Sequence, residues 1–225
     1  MDNQNRSIRN IFFDLDGTLV NSLTEITASL NKMRQHFKLT LVDNKRVAKV
    51  IGSGLLNTIK SLFYNNDTET MVENINQVLK LTKNFYAKNL GNSTYVYPGV
   101  IETLTQLKMK GINLAIVTNA EEEHAIKLLS KLNLLSFFQL IVGGNTTSSY
   151  KPSPLPLEYA MKKLRASKDN SVMVGDSKND YLCAKAVNIL CVFITHGYHY
   201  NFDFDKHKPY RVIDRFEKLL KVVGL

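Results

Sequence analysis

Ile11-Phe12-Phe13-Asp14-Leu15-Asp16-Gly17-Thr18-Leu19 decides how this chain is read. An apolar run of β-formers passes without a break into two carboxylates set two residues apart. Such a run predicts a strand buried on both faces. The Asp and Gly directly after it predict a sharp turn. In an open α/β sheet, ligands bind in the crevice beyond the carboxyl ends of the strands. Asp14, Asp16 and Thr18 are therefore expected at the mouth of such a crevice. Two carboxylates that close repel each other unless a cation or a shared proton lies between them. With hard oxygen ligands and no His or Cys nearby, the expected cation is Mg²⁺. An Asp beside Mg²⁺ is a competent nucleophile toward a phosphoryl group, and a second Asp can act as acid and base. D-x-D-G alone fits a helix-capping turn about as well, so the rest of the chain decides.

The 225 residues suit one domain with an insertion, or two small domains. A hydrophobic content of 44% supports a packed core and argues against disorder. Cys183 and Cys191 are too few for a disulfide framework or a metal cluster, and read as buried small hydrophobes in a reducing compartment. The first ten residues are polar and hold no signal-peptide core. No apolar run approaches the ~18 residues of a membrane span, so a cytoplasmic location is expected. The net charge of +9 is scattered, without a basic arm or tail. It favours small anions over nucleic acid or a membrane as partners. A monomer and a homodimer are both compatible with this pattern.

Between about residues 21 and 94 the texture is helical. Leu23, Ile26, Leu30, Met33 and Phe37 recur at helical spacing, as do Val47, Val50 and Ile51, then Leu55, Leu56, Ile59 and Leu62. A longer run carries Met71, Val72, Ile75, Val78, Leu79, Leu81 and Phe85. This predicts an all-helical insert of about four helices. Gly52-Ser53-Gly54 interrupts it with a tight loop whose following helix can present N–H groups to an anion; a plain helix–helix turn fits equally. The insert holds ten Lys/Arg against five Asp/Glu, suited to a lid over an anionic substrate or simply to a solvated face.

From Pro98 onward strand and helix alternate. Strands are expected at Leu114 to Val117, Leu140 to Val142, Val172 to Val174 and Ile189 to Ile194. Helices are expected from Val100, from Glu121 to Glu123 onward, at Leu157 to Leu164, at Tyr181 to Val187 and at Ile213 to Val223. This order predicts parallel pairing with right-handed crossovers, an α/β core built on a parallel sheet of five or more strands with the helical insert after the first strand. The polar residues fall each time at the carboxyl end of a strand: Asp14/Asp16/Thr18, Thr118/Asn119, Lys151 in the loop after the third strand, and Asp176 to Asp180. In a parallel sheet these ends share one rim. Together they supply a nucleophile, an acid/base, a hydroxyl, a cation and further acidic groups, which are the needs of phosphoryl transfer.

F-D-L-D-G-T-L-V-N-S, V-T-N, K-P-x-P and G-D-S-K-N-D, in this order and spacing, resemble the haloacid dehalogenase superfamily. The helical insert after the first motif resembles that superfamily's helical cap. The resemblance implies a Rossmann-like core over residues 1–20 and 95–225 and a cap over 21–94. It implies a Mg²⁺-dependent phosphatase working through an aspartyl-phosphate. Asp14 is then the nucleophile and Asp16 the acid/base. Thr118 and Lys151 hold the phosphoryl group, with Thr18, Asn119 and the Gly52, Ser53, Gly54 loop as further phosphate or substrate contacts. The metal falls to Asp14, the backbone carbonyl of Asp16, and Asp176, supported by Ser177 and Asp180. The superfamily's dehalogenase branch lacks the second Asp of the first motif, so Asp16 argues for phosphoryl chemistry. Y-P-G-V, L-A-I-V-T-N, I-V-G-G and a late H-G-Y resemble the phosphoglycolate phosphatase branch, which implies 2-phosphoglycolate as substrate. Where that branch often has V-D-S, this chain has Val20-Asn21-Ser22. Pyrophosphate, nucleotide and sugar phosphates, a mutase reaction, and a non-catalytic phosphate-binding protein are the alternatives. Taken singly, Thr118 fits an N-cap, Asp180 a helix-start charge, and His196 and His199 near-surface histidines without a special role.

Overall fold

The computed structural model describes residues 7–63, 75–200 and 202–225. Its centre is β1, Asn10–Phe13, with every residue buried. Ile11 and Phe13 face one side of the sheet and Phe12 the other, the two-residue period of a strand covered on both faces. The strands that follow are β2 (Val20–Asn21), β3 (Tyr95–Val96), β4 (Asn113–Val117), β5 (Leu140–Val142), β6 (Ser171–Gly175), β7 (Leu190–Ile194) and β8 (Arg211–Ile213). Among the described residues they form a six-stranded parallel sheet in the order β5-β4-β1-β6-β7-β8. The chain runs outward from β1 through β4 to β5, returns to β6, and runs outward the other way. The strand order therefore reverses beside β1, which opens a crevice at its carboxyl end.

Helices cover both faces. Ile11, Phe13, Ile116, Val174 and Ile194 pack with α5 (Val100–Met109), α6 (Glu122–Lys131) and α9 (Lys218–Val222). Phe12, Val117, Met173 and Phe193 pack with α7 (Leu155–Leu164) and α8 (Lys178–Val187). Cys183 and Cys191 are free thiols buried in this second layer.

Between β2 and β3 lie α1 (Leu23–His36), α2 (Asn44–Ala48), α3 (Leu55–Phe63) and α4 (Ile75–Asn89). They enclose an apolar cluster of their own: Leu30, Met33, Val47, Ile59, Leu62 and Val78. Met71 and Val72, expected in the last of these helices, lie outside the described residues. β2 and β3 pair antiparallel, Val20 with Val96 and Asn21 with Tyr95, so the insert leaves and re-enters the core through one two-stranded ribbon. Buried Glu25 tightens this neck by accepting from the backbone N–H groups of Gly91 (2.6 Å), Ser93 (2.9 Å) and Thr94 (3.3 Å).

Two boundaries differ from the sequence reading. The single helix expected over Ile213 to Val223 is instead β8 followed by the short α9. Arg211–Ile213 pairs along the edge of β7, and three residues are too few for a period to announce a strand. The helix expected from Tyr181 starts at Lys178, because Ser177 and Asp180 form a reciprocal capping box one turn earlier.

Candidate active site

Four strand ends meet at the crevice. Asp14 follows β1 directly, and its N–H donates to the Val174 carbonyl of β6, so its position is tied to the sheet. Asp176 follows β6, Thr118 follows β4, and Lys151 arrives on the loop after β5. Lys151 is 2% exposed, and its Nζ lies 2.8 Å from Asp14 Oδ1 and 2.6 Å from Asp180 Oδ1. Burial alone would lower the pKa of this ammonium. The Asp14 and Asp180 carboxylates outweigh burial and hold it above the usual lysine range.

Asp14, Asp176 and Asp180 are all buried, with ligand oxygens within 4.8 Å of one another. Three carboxylates thus share one ammonium. Asp176 has no cationic partner in its hydrogen bonds: Thr18 Oγ1 donates to Oδ1 at 2.7 Å and the Tyr198 N–H to Oδ2 at 2.6 Å. Burial pushes the Asp14 carboxyl up to about 7 despite Lys151 beside it. It pushes Asp176 well above the usual carboxylate range, helped by Asp14 and Asp180. A divalent cation would supply the charge this cluster lacks, and an all-oxygen donor set suits a hard ion. The residues present therefore fit a metal. The Asp176 carboxylate is also seated against two glycines, Gly17 and Gly197. A Cβ on either would come within 2.3 Å of Asp176 Oδ2. Only hydrogen there lets two loops close around this group.

A stability prediction arises from this electrostatics. Between the unfolded value of 3.8 and the folded value of about 7, Asp14 binds more proton in the folded state than in the unfolded one. Folding stability must then fall as pH rises through that window, by up to ~1.4 kcal/mol per pH unit for one such group. Asp176, also raised, extends the loss upward. Urea unfolding in chelator should show stability declining from about pH 5 to about pH 8, and a divalent cation should flatten the slope. Equal slopes with and without the cation would contradict the charge imbalance.

Asp16 is only partly buried, and its Oδ1 accepts from Ser22 Oγ at 2.5 Å. Burial raises its pKa and the Ser22 hydrogen bond works in the opposite direction. Asp180 is both a helix-start group and a site group. Its Oδ2 accepts from Ser177 N–H (3.0 Å) and Ser177 Oγ (2.6 Å), while Oδ1 meets Lys151.

Asp14, Asp16, Thr118 and Asn119 line a cavity of about 90 Å³ roofed by the helical insert through Ile26, Ser29, Leu30, Ile51, Gly52, Gly54, Thr58, Thr82 and Tyr86. Three residues expected at the phosphate are committed elsewhere. The Thr18 hydroxyl donates to Asp176 and stands behind the carboxylate cluster. Ser53 Oγ donates to the Val50 carbonyl, so of its loop Gly52 and Gly54 line this cavity. The Asn119 side chain joins loops: Nδ2 donates to the carbonyls of Gly52 and Lys151, both at 2.8 Å, and Oδ1 accepts from Lys151 N–H at 2.8 Å. It fixes the backbone from which Lys151 reaches inward. Thr118 lines the cavity, and its Oγ1 accepts from Ala120 N–H (3.2 Å), outside α6, whose N-cap is Glu121.

Several residues here were given no site role by the sequence. Glu121 and His124 complete the cavity wall, and Lys83 of α4 makes a close ion pair with Glu121 across the gap between insert and core. His196 Nε2 lies 3.0 Å from the Thr18 carbonyl, and its ring stacks on Tyr97 at 3.8 Å, so this histidine braces the first loop.

The haloacid dehalogenase-like hydrolase family model matches residues 11–194. A phosphoglycolate phosphatase of Haemophilus influenzae is 36% identical over 226 residues, covering 97% of this chain and 100% of the relative. Phosphoglycolate phosphatase 1 of Pseudomonas aeruginosa is 34% identical over 214 residues, covering 94% of this chain and 78% of the relative. The crystal structure of a predicted phosphoglycolate phosphatase from Haemophilus somnus superposes with a TM-score of 0.91 at 30% identity, covering 98% of this chain and 100% of that one. With the strand order, the convergent carboxylates and these likenesses in agreement, this chain belongs to the haloacid dehalogenase-like hydrolases.

Proposed function

We propose that this protein is a Mg²⁺-dependent phosphatase of small phosphate monoesters, with 2-phosphoglycolate as its substrate and Asp14 as its nucleophile. The observation that carries the chemistry is the pairing of Asp14 with a fully buried Lys151 inside a cluster of three carboxylates at the strand crossover. The substrate follows from the names of the relatives that match over nearly the whole chain.

Asp14, the backbone carbonyl of Asp16, and Asp176 would hold the metal. A Mg²⁺ ion held there would supply charge neutralisation for the phosphoryl group and the attacking carboxylate. Lys151 orients Asp14 and, with the Thr118 hydroxyl, meets the phosphoryl oxygens. An Asp14 oxygen forms a bond to phosphorus as the phosphorus–ester oxygen bond breaks, and the leaving alkoxide takes a proton from Asp16. Burial raises the Asp16 pKa, which favours the protonated form that an acid needs. Water then gives a proton to Asp16 and attacks phosphorus, releasing Asp14 and inorganic phosphate. Residues 21–94 act as the cap, and closing them over the ester keeps bulk water out.

One observation favours a second reading, a sugar or polyol phosphate. The three aliphatic hydroxyls in the cavity roof donate to backbone: Ser29 to the Glu25 carbonyl, Thr82 to that of Val78, and Thr58 to those of Val50 and Gly54. Their remaining lone pairs suit a substrate that brings hydroxyl donors. Phosphate release from a panel holding 2-phosphoglycolate, pyrophosphate, nucleotides, glycerol phosphates and hexose phosphates separates the two. A dominant rate on 2-phosphoglycolate, stopped by EDTA and restored by Mg²⁺, is expected. A dominant rate on a polyol ester would move the assignment to the second reading, and release from none would remove the phosphatase.

A further inference from the structure

Ser22 occupies the N-cap of α1, where a serine hydroxyl ordinarily accepts from an N–H two or three residues on. It makes no such bond. Its hydroxyl is turned back to Asp16. The neck is held instead from the far end of the chain. Tyr198, 9% exposed, places its hydroxyl oxygen 2.9 Å from Ser22 N and 3.1 Å from Leu23 N, accepting from both, and donates to Asn21 Oδ1 at 3.2 Å. Asn21 Oδ1 also accepts from Leu23 N–H at 3.2 Å, and its Nδ2 donates to the Tyr95 hydroxyl at 2.9 Å, which brings β3 into the same knot. The backbone N–H of Tyr198 meets Asp176. One residue therefore touches both the turn that carries the partner of Asp16 and, through its backbone, Asp176 of the carboxylate cluster.

We propose that Tyr198 is a positioning residue for Asp16: its hydroxyl fixes the Asn21–Leu23 turn so that Ser22 holds the Asp16 carboxyl in place for proton transfer. The proposal rests on Asp16 being the acid that protonates the leaving group. A tyrosine serving only to fill space would, on losing its hydroxyl, change all substrates alike. Positioning of an acid acts selectively. An alkyl ester needs its leaving oxygen protonated, whereas p-nitrophenyl phosphate departs as a stabilised phenolate.

The test compares Tyr198→Phe, Ser22→Ala, their double variant and Asp16→Asn on 2-phosphoglycolate (or the best alkyl ester of the panel) and on p-nitrophenyl phosphate. Thermal unfolding of each variant is followed in parallel. For Tyr198→Phe we expect kcat on the alkyl ester to fall about 10-fold, with KM unchanged and the aryl ester within about 2-fold of wild type. Ser22→Ala should show the same selectivity, and the double variant should lose no more than the worse single one, because the two act in series. Asp16→Asn should show the selectivity most strongly. Equal losses on both esters, or additive losses in the double variant, would overturn the role of Tyr198 while leaving that of Asp16 intact. An Asp16→Asn variant without selectivity would remove the acid role and the proposal with it. If Tyr198→Phe does not fold, Asn21→Ala, which removes the acceptor of the Tyr198 proton, takes its place with the same expected selectivity and the same overturning result.

Discussion

Replacing Asp14 with Asn should abolish turnover, by on the order of 10⁴-fold or more, while the protein folds and gains stability in the absence of metal. The activity loss follows from the geometry. Asp14 is the carboxylate that follows the central strand, lines the cavity and is held by the buried ammonium of Lys151. An amide at this position keeps an oxygen for Lys151 Nζ but has no carboxylate to form an acyl phosphate. The stability gain follows from the charge imbalance, since the substitution removes one of three buried carboxylates that only one ammonium offsets. The raised pKa of Asp14, about 7, means that ionising it in the fold costs free energy near neutral pH. Without divalent cation, Asp14→Asn should therefore unfold at higher urea than wild type at about pH 8, and the difference should shrink toward about pH 5. Added Mg²⁺ should stabilise wild type more than the variant. Steady-state assays together with urea titrations at the two pH values check both halves. Wild-type activity would remove Asp14 as nucleophile, and lower stability at every pH would refute the electrostatic account.

Lys151→Met should have the second large effect, and it should be as much on the fold as on the reaction. The side chain is among the largest fully buried ones, and its ammonium reaches two carboxylates within 2.8 Å. Met preserves much of the apolar stem, so the lost charge dominates. Breaking a buried ion pair by deleting one partner typically costs ~3–5 kcal/mol, because the remaining charges stay behind without compensation. Among the described residues, Asp14 and Asp180 are then left beside Asp176 with no cation hydrogen-bonded to them. The loss should be largest at neutral and alkaline pH. It should diminish as acid protonates the carboxylates, and a divalent cation should recover part of it. Activity should fall by ~10²-fold or more even where Mg²⁺ keeps the variant folded, since the phosphoryl oxygens lose a positive partner. Denaturant midpoints across pH, with and without Mg²⁺, measure the first effect, and kcat in saturating Mg²⁺ the second. A pH-independent loss would point to packing instead of charge.

The fold was legible where local pattern and tertiary role agree. The apolar run Ile11 to Phe13 followed by Asp14 announced a buried central strand with a polar exit, and the same grammar located β4, β5, β6 and β7. It failed where pairing is too short to leave a period, in the two-residue strands β2 and β3 and in the edge strand β8. The site was legible as a set of residue types at strand ends. What each side chain does was less so, because a hydroxyl or amide bonds to whichever neighbour the tertiary fold presents. Thr18 and Asn119 were expected at the phosphate. The first is fastened to Asp176 and the second to the backbone of Lys151. Asp180 satisfies a capping box and an ion pair at once, with one oxygen for each. Tyr198 stood out only as part of the late H-G-Y stretch, and what it does was not legible, since its partners at Ser22 and Leu23 lie about 175 residues earlier. Gly17 was visible as a turn former, but the carboxylate that it and Gly197 make room for was not.

The central claim is a covalent phosphoryl transfer to Asp14, and chemical trapping tests it most directly. Enzyme mixed with substrate and Mg²⁺, quenched during turnover and reduced with borohydride, should carry homoserine at position 14, the product of reducing an aspartyl-phosphate. Peptide mass spectrometry should find it only when substrate and Mg²⁺ are both present. An unmodified Asp14 under confirmed turnover, or a phosphorylated residue elsewhere in the chain, would contradict the account.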